Sequence, residues 1–162
     1  MNISAKQKGF TIVELLIVIG VIGILAAITI VAYNGIQTRG KFARAQSDLV
    51  NTQKVLELYK AQNGVYPLST STGAWSFQTQ GTQNTYITGL VSDFASSLPI
   101  VPDSSGQYIY RTNTTGTEFK LVKYRSGGLP SDEWALVSAS MKDGNIANAD
   151  RYGYWSAGGY SL

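Results

Sequence analysis

The chain contains no cysteine and no histidine in 162 residues. Without cysteine it has no disulfide framework, no thiolate metal site and no sulfur nucleophile. Without histidine it lacks the commonest general base and the commonest metal ligand. Hydrolytic and zinc chemistry lose most of their usual parts, so the expectation is a non-enzyme with no cofactor and no metal. Proline is scarce, at four residues, and charged residues make up only 14% of the chain. What is abundant instead is glycine, at 17, and tyrosine, at 10. With its many serines and threonines, that composition fits an exported surface protein. The length allows one domain plus an N-terminal segment, and a head of roughly 100 residues buries a modest core.

The formal charge of +3 is unevenly distributed. Lys6 and Lys8 stand before the long apolar run, and Arg39, Lys41, Arg44, Lys54 and Lys60 follow it, against Asp48 and Glu57. From residue 64 on, the acids Asp93, Asp103, Glu118, Asp132, Glu133, Asp143 and Asp150 outnumber the bases Arg111, Lys120, Lys123, Arg125, Lys142 and Arg151 by one. The head is therefore no obvious phosphate-binding surface.

Residues 15–32 read LLIVIGVIGILAAITIVA, with Thr29 the one polar side chain, and no charge falls between Glu14 and Arg39. A helix of that length crosses a hydrocarbon core of about 30 Å. The run is too long for a secretory h-region and no small-x-small site follows it. Cations flank it on both sides, so the positive-inside rule alone does not orient it. Glu14 opens this run. A carboxylate at the centre of a membrane helix costs about 2.5–3.5 kcal/mol, less near an end, so such a residue usually has a partner or a function. The plain reading is that it sits at the interface and favours the positive end of its helix.

Residues 6–16, KQKGFTIVELL, combine basic residues, Gly9-Phe10, a threonine, and Glu14 four places after the phenylalanine. This resembles the leader-peptidase site of type IV prepilins and type II secretion pseudopilins, and the apolar run resembles that family's hydrophobic stem. The resemblance implies cleavage by prepilin peptidase between Gly9 and Phe10 and N-methylation of the new Phe10 amine. It gives Glu14 the role of setting axial register by pairing with a neighbour's Phe10 amine. The small Gly9 suits close approach of a protease to the backbone. An unpaired carboxylate in an apolar filament core is costly, which penalises mis-registered subunits. Loss of residues 1–9 leaves 11 basic residues against 10 acidic ones. The partners implied are further copies of the chain, prepilin peptidase, an assembly motor and platform protein, and the inner membrane before assembly. The localisation implied is single-pass in the bacterial cytoplasmic membrane, then an extracellular pilus at the cell surface. Lipid tails are as apolar as a filament core, so burial alone does not drive extraction, and the sequence contains no P-loop. One departure is Val31, where many relatives carry a proline that accompanies local melting of the stem. Here Gly20, Gly23, Gly35 and Gly40 are the helix-weakening residues, each costing about 1 kcal/mol relative to alanine. They place any unwinding between Gly23 and Gly40.

Beyond the run, Phe42, Ala45, Leu49, Leu56 and Tyr59 form one apolar stripe, with Lys41, Arg44, Asp48, Asn51 and Lys54 opposite. Asn63-Gly64 and then Pro67 stop the helix; the alternative is two helices broken at Asn34-Gly35. The stretch LELYKAQNGVYP resembles the family's helix end. Residues 68–84 read as a loop containing Trp75 and Phe77, and residues 90–98 as a short helix, with Pro99 and Pro102 extending the chain beyond it. Residues 107–112 and 117–124 alternate around Asn-Thr-Thr-Gly as a hairpin, residues 134–139 read as a third strand, and 152–156 as a fourth. The expected fold is α+β: a long N-terminal helix whose C-terminal half packs on a small antiparallel sheet. The expected organisation is a leader at 1–9, a transmembrane or filament-core helix at 10–33, its amphipathic continuation at 34–63, and a β-rich head at 64–162.

Weaker signals remain in the head. Asp143-Gly144-Asn145 with Asp150 touches on calcium but lacks EF-hand spacing and reads as a turn. Tyr152, Tyr154, Trp155 and Tyr160 are candidates for stacking on nucleic acid or sugar, with core or interface packing the plainer reading. Asn113-Thr-Thr is a glycosylation sequon. The leading expectation is a structural pilin, a type II secretion or competence pseudopilin is the alternative, and a membrane-anchored DNA- or carbohydrate-binding module is the more distant one.

Overall fold

The computed structural model describes residues 9–69, 76–77, 86–91, 93–101, 106–144 and 149–162. Lys6, Lys8, Trp75, Pro102, Asp103, Asn145 and most of the 68–84 loop lie outside them. The chain forms two compact units that divide between Gln37 and Thr38.

Helix α1, Ile12–Asn63, is the dominant element and passes through Asn34-Gly35 without a break. Within its first unit every residue from 9 to 37 is exposed. Its C-terminus is built as the sequence indicated. Gly64 takes φ +79°, its N–H donates to the Lys60 carbonyl at 2.7 Å, and the Asn63 side-chain amide donates to the Tyr59 carbonyl at 3.0 Å. A left-handed residue here caps orphan carbonyls, and glycine adopts it without a Cβ clash.

The second unit is an α+β head. Its sheet comprises β1 (Ser76–Phe77), β2 (Gln107–Thr112), β3 (Phe119–Tyr124) and β4 (Arg151–Trp155), in that spatial order and all antiparallel. The register aligns Tyr108, Lys123 and Tyr152, then Tyr110, Leu121 and Tyr154, on one face. That face forms a single core with Ala45, Leu49 and Leu56 of α1, flanked by Phe42, Val55 and Tyr59. Gly153 lies against β3 so closely that a Cβ there would collide with the Leu121 carbonyl and the Val122 backbone. The expected hairpin is present. Asn113 closes it by accepting the Thr117 N–H at 2.9 Å and the Glu118 N–H at 3.2 Å through Oδ1, so the sequon asparagine is a structural part of the turn.

Several expectations need correction. Residues 134–139 are not a strand. Residues 134–136 end helix α2, Ser131–Leu136, Val137 and Ser138 link it onward, and Ala139 opens a 3-10 turn at Ala139–Met141. Pro130 followed by Ser-Asp-Glu opens a helix, and Glu133 is drawn inward by a lysine on β3. The described residues of 90–98 form turns rather than a helix, with an Ala95 N–H to Leu90 carbonyl bond of 3.1 Å and a bridge between Val91 and Ala95. The helical spacing was present, but a segment this short and rich in serine and aspartate does not hold a helix alone. Two residues of the expected 68–84 loop form β1. Thr52 joins the buried stripe, its hydroxyl donating to the Asp48 carbonyl at 2.8 Å. Asp48 belongs to the packed side as well, because Tyr108 donates its phenol to Oδ2 at 2.9 Å.

With no disulfide available, the head is pinned by phenols. Tyr66, Tyr86, Tyr108, Tyr110 and Tyr152 are all buried. They donate to Glu57 at 2.9 Å, the Pro99 carbonyl at 3.2 Å, Asp48 at 2.9 Å, the Pro67 carbonyl at 2.8 Å and Glu133 at 2.9 Å, respectively. Each ring contributes apolar area and each hydroxyl finds an acceptor, as a buried tyrosine requires. Burial raises all five pKa values. Tyr66 is pushed up to about 12 by desolvation and then by its bond to Glu57. Desolvation also leads for Tyr86, Tyr108, Tyr110 and Tyr152, and the nearby carboxylates Asp48 and Glu133 add to it at Tyr108 and Tyr152.

Two lysines of β3 are buried on opposite faces of the sheet. Lys123 meets Glu133 of α2 at 2.6 Å, and Tyr152 shares the same carboxylate oxygen. Lys120 meets Asp143 at 2.9 Å and donates to the Leu162 carbonyl at 3.1 Å. Buried charges persist only when paired in this way. Asp150 contacts Arg151 at 3.0 Å, so the carboxylates first weighed for calcium are engaged by cations. Tyr152 is a core residue, and Trp155 lies beside the Lys120 ammonium at 5.8 Å.

Candidate processing and assembly site

The N-terminal residues meet at the start of α1. Gly9, Phe10 and Thr11 precede the helix and are exposed, Phe10 at 86%. The Gly9-Phe10 peptide thus lies in non-helical backbone, where a protease can engage it without first unwinding a helix.

Ile12 begins the helix because Thr11 and Glu14 cap it reciprocally. The Thr11 hydroxyl accepts the Glu14 N–H at 3.2 Å. The Glu14 carboxylate in turn accepts the Thr11 N–H at 2.9 Å and the Thr11 hydroxyl at 2.8 Å, both at Oε2. This is a capping box, in which residues three apart satisfy backbone donors that the first helical turn leaves orphaned. The negative carboxylate also lies where the helix dipole favours it. Glu14 therefore has a local structural role, and Oε2 is occupied by its own helix end. Among the described residues no group bonds Oε1.

Thr11 is the functional residue that the sequence reading passed over. Its signal was present: a threonine followed three places later by glutamate, directly before an apolar run, marks a helix start. The proposed hinge glycines sit differently. A Cβ placed on Gly20, Gly23, Gly35 or Gly40 would meet nothing within 4 Å, so none is required by packing within the single chain. Thr29 returns its hydroxyl to the Leu25 carbonyl at 2.6 Å, which satisfies the run's one polar side chain internally. The helix is long and apolar enough to cross a membrane, with an 18-residue window of mean hydropathy 3.0. Among the described residues there is no group of three or more acidic side chains arranged to hold a metal.

Comparison with known proteins bears on this same end of the chain. Residues 4–30 match the family described as the prokaryotic N-terminal methylation motif. The chain is 36% identical over 67 residues to the type II secretion system core protein G of Escherichia coli (strain K12), covering 41% of this chain and 46% of that protein. It is 34% identical over 77 residues to the core protein G of Pectobacterium carotovorum subsp. carotovorum, covering 48% and 49%. It is also 42% identical over 60 residues to the fimbrial protein EcpB of Eikenella corrodens, covering 37% and 38%. The chain thus spans about half the length, or less, of the curated relatives it matches. No solved structure gives a significant match. The resemblance drawn from Gly9, Phe10 and Glu14 is borne out: the chain carries a prepilin-type methylation motif and is similar to type II secretion core proteins and to a fimbrial protein.

Proposed function

We propose that this protein is a structural, non-catalytic subunit of a type IV pilus-like filament, held in the cytoplasmic membrane by α1 until it is assembled. The carrying observation is the conjunction at one helix end. An exposed Gly9-Phe10 peptide is followed by a capped Glu14 and then by an apolar helix that is exposed through Gln37 among the described residues. Prepilin peptidase cleaves after Gly9, and Phe10 becomes a methylated cationic amine. With Oε2 tied to Thr11, Glu14 offers Oε1 to the Phe10 amine of the next subunit, so the carboxylate is satisfied only in the correct axial register. The apolar stem supplies packing, and a motor and platform protein supply the work of extraction. Any unwinding of the stem in the filament falls between Gly23 and Gly40; a filament map with unbroken helix there would sink that part.

The test is intact-mass analysis of the subunit recovered from surface filaments, in cells with and without prepilin peptidase. Chains beginning at a methylated Phe10 are expected in assembled material, and filaments containing residues 1–9 overturn the reading. A second reading, a type II secretion pseudopilin, is favoured by the identity to core protein G in two organisms. Deleting the chain separates the two. Loss of surface fibres with secretion intact selects the pilus, and loss of secreted enzymes selects the secretion system.

A further inference from the structure

We infer that Asn34-Gly35 is a spontaneous modification site, converting to isoaspartate and aspartate when α1 opens locally, and that Asn63-Gly64 is not. These are the chain's two Asn-Gly pairs. In such a pair the glycine nitrogen attacks the asparagine Cγ and a C–N bond forms. The glycine N–H proton and the side-chain NH2 leave together as ammonia. Water then opens the five-membered succinimide at either carbonyl, which gives isoaspartate or aspartate. Glycine permits the closure because it has no side chain to obstruct the ring. The step requires a glycine nitrogen free of hydrogen bonds and an asparagine outside helical backbone.

Both pairs are closed in the structure, by different means. Helix α1 runs unbroken through residues 34 and 35, so the Gly35 nitrogen is committed to the carbonyl four residues earlier. At the other pair, the Gly64 N–H donates to the Lys60 carbonyl at 2.7 Å. The Asn63 amide that would leave donates to the Tyr59 carbonyl at 3.0 Å. The head anchors that end of the helix. Leu56 and Tyr66 are buried, the Tyr66 N–H donates to the Gly116 carbonyl at 2.7 Å, and its phenol donates to Glu57 at 2.9 Å. Nothing comparable holds Asn34 among the described residues. Every residue from 9 to 37 is exposed, and a Cβ on Gly35 or Gly40 would meet nothing within 4 Å. A helical stretch without tertiary cover depends on its own bonds, which each glycine weakens. In the membrane-inserted reading, a span entered at Leu15 is used up near Asn34, which leaves this pair at the water edge.

Conversion to isoaspartate is a one-way step for the helix. The main chain is rerouted through Cβ and gains a carbon, so α1 no longer closes its hydrogen-bond ladder there. Either product also places a carboxylate in a stretch that contains no acid between Glu14 and Asp48. In the isoaspartate form one continuous helix becomes two, divided at residue 34.

The experiment incubates the full chain in detergent micelles at mildly alkaline pH. Peptide masses and isoaspartate-specific carboxyl methylation then follow both pairs over time. A proteolytic digest of the same chain, in which both pairs are open, supplies the reference rate. Both pairs are expected to convert in the digest. In the intact chain Asn34 is expected to convert at least about tenfold faster than Asn63. Gly40→Ala tightens the following turn without a clash and is expected to slow Asn34 about fivefold, with its rate in the digest unchanged. An intact chain in which Asn34 is stable, or converts no faster than Asn63, overturns the inference. So does a Gly40→Ala chain that converts at the wild-type rate, since helix opening is then not the gate. Helical dichroism should fall in proportion to the isoaspartate formed, and full retention of the signal overturns the one-way step. A chain that stays monodisperse without detergent overturns the membrane reading alone, and the same assay in plain buffer still decides the site.

Discussion

Between Ile12 and Gln37, α1 shows valine, isoleucine and leucine to solvent at every turn. Between Thr38 and Asn63 the same helix hides Ala45, Leu49, Thr52 and Leu56 beneath a sheet and leaves Arg39, Lys41, Arg44, Lys54 and Glu57 exposed. The backbone is alike in both stretches, and the difference lies in where the cover comes from. The second stretch finds its partner within the chain, so its residues are paid for in folding free energy. The first has no cover among the described residues, and in the proposed function its residues act through a bilayer or other subunits. Substitutions should sort accordingly: head changes move stability, and stem changes move assembly.

The largest test of that division is Glu133→Ala. It strands the Lys123 ammonium in the core and removes the acceptor of Tyr152, and should destabilise the head by about 3–5 kcal/mol in urea unfolding of detergent-solubilised protein. Glu14→Ala, measured in the same way, should leave the head's midpoint unchanged while keeping the subunit out of filaments. If Glu14→Ala lowers head stability as much as Glu133→Ala does, the division between the stretches fails. Next in size is Leu56→Ala, which opens a cavity under the sheet at a cost of about 2–5 kcal/mol. The matched stem change Ile24→Ala should shift the urea midpoint by nothing measurable.

Alkaline pH sharpens the comparison, because the buried phenols belong to the head alone. Their pKa values are raised in the fold above the unfolded value of about 10. Their contribution is therefore complete below pH 10 and is lost as pH rises beyond it, when the unfolded chain releases protons that the fold retains. Tyr66, with a folded pKa of about 12, is the least shifted of the five, and the other four are raised further. Far-ultraviolet dichroism should show the sheet lost between pH 10 and 12 together with tyrosinate absorbance, while the helical signal of the stem persists. Smallest is Thr11→Ala, which removes one half of the capping box. Amide exchange in the first turn of α1 should quicken severalfold, with exchange in the head unaltered.

Legibility followed the range of the interactions. The stem and its C-cap, the hairpin and β4 were readable because periodicity and turn residues are local. The 134–139 segment was misread because WALVSA carries strand composition, while the cause of its helix lies elsewhere, in Pro130 and in the pull of Lys123 on Glu133. No local sign marks FKLVKY as a strand that buries both of its lysines, since their partners lie 10 and 23 residues away in sequence. At the N-terminal site, Gly9, Phe10 and Glu14 were legible from their spacing. Thr11 was legible in principle, but it was read as part of a motif and not as a helix cap.

The five buried phenols also set where this head can mature. A domain stapled by cystine has to wait for an oxidase and is undone by thiols. One held by hydroxyls donating to carboxylates and carbonyls becomes native as soon as its chain is available. Its folding should run at the same rate in reducing and oxidising buffer, and in anaerobic as in aerated cells. In the proposed filament, a subunit so built would be ready for incorporation without any electron acceptor in the envelope.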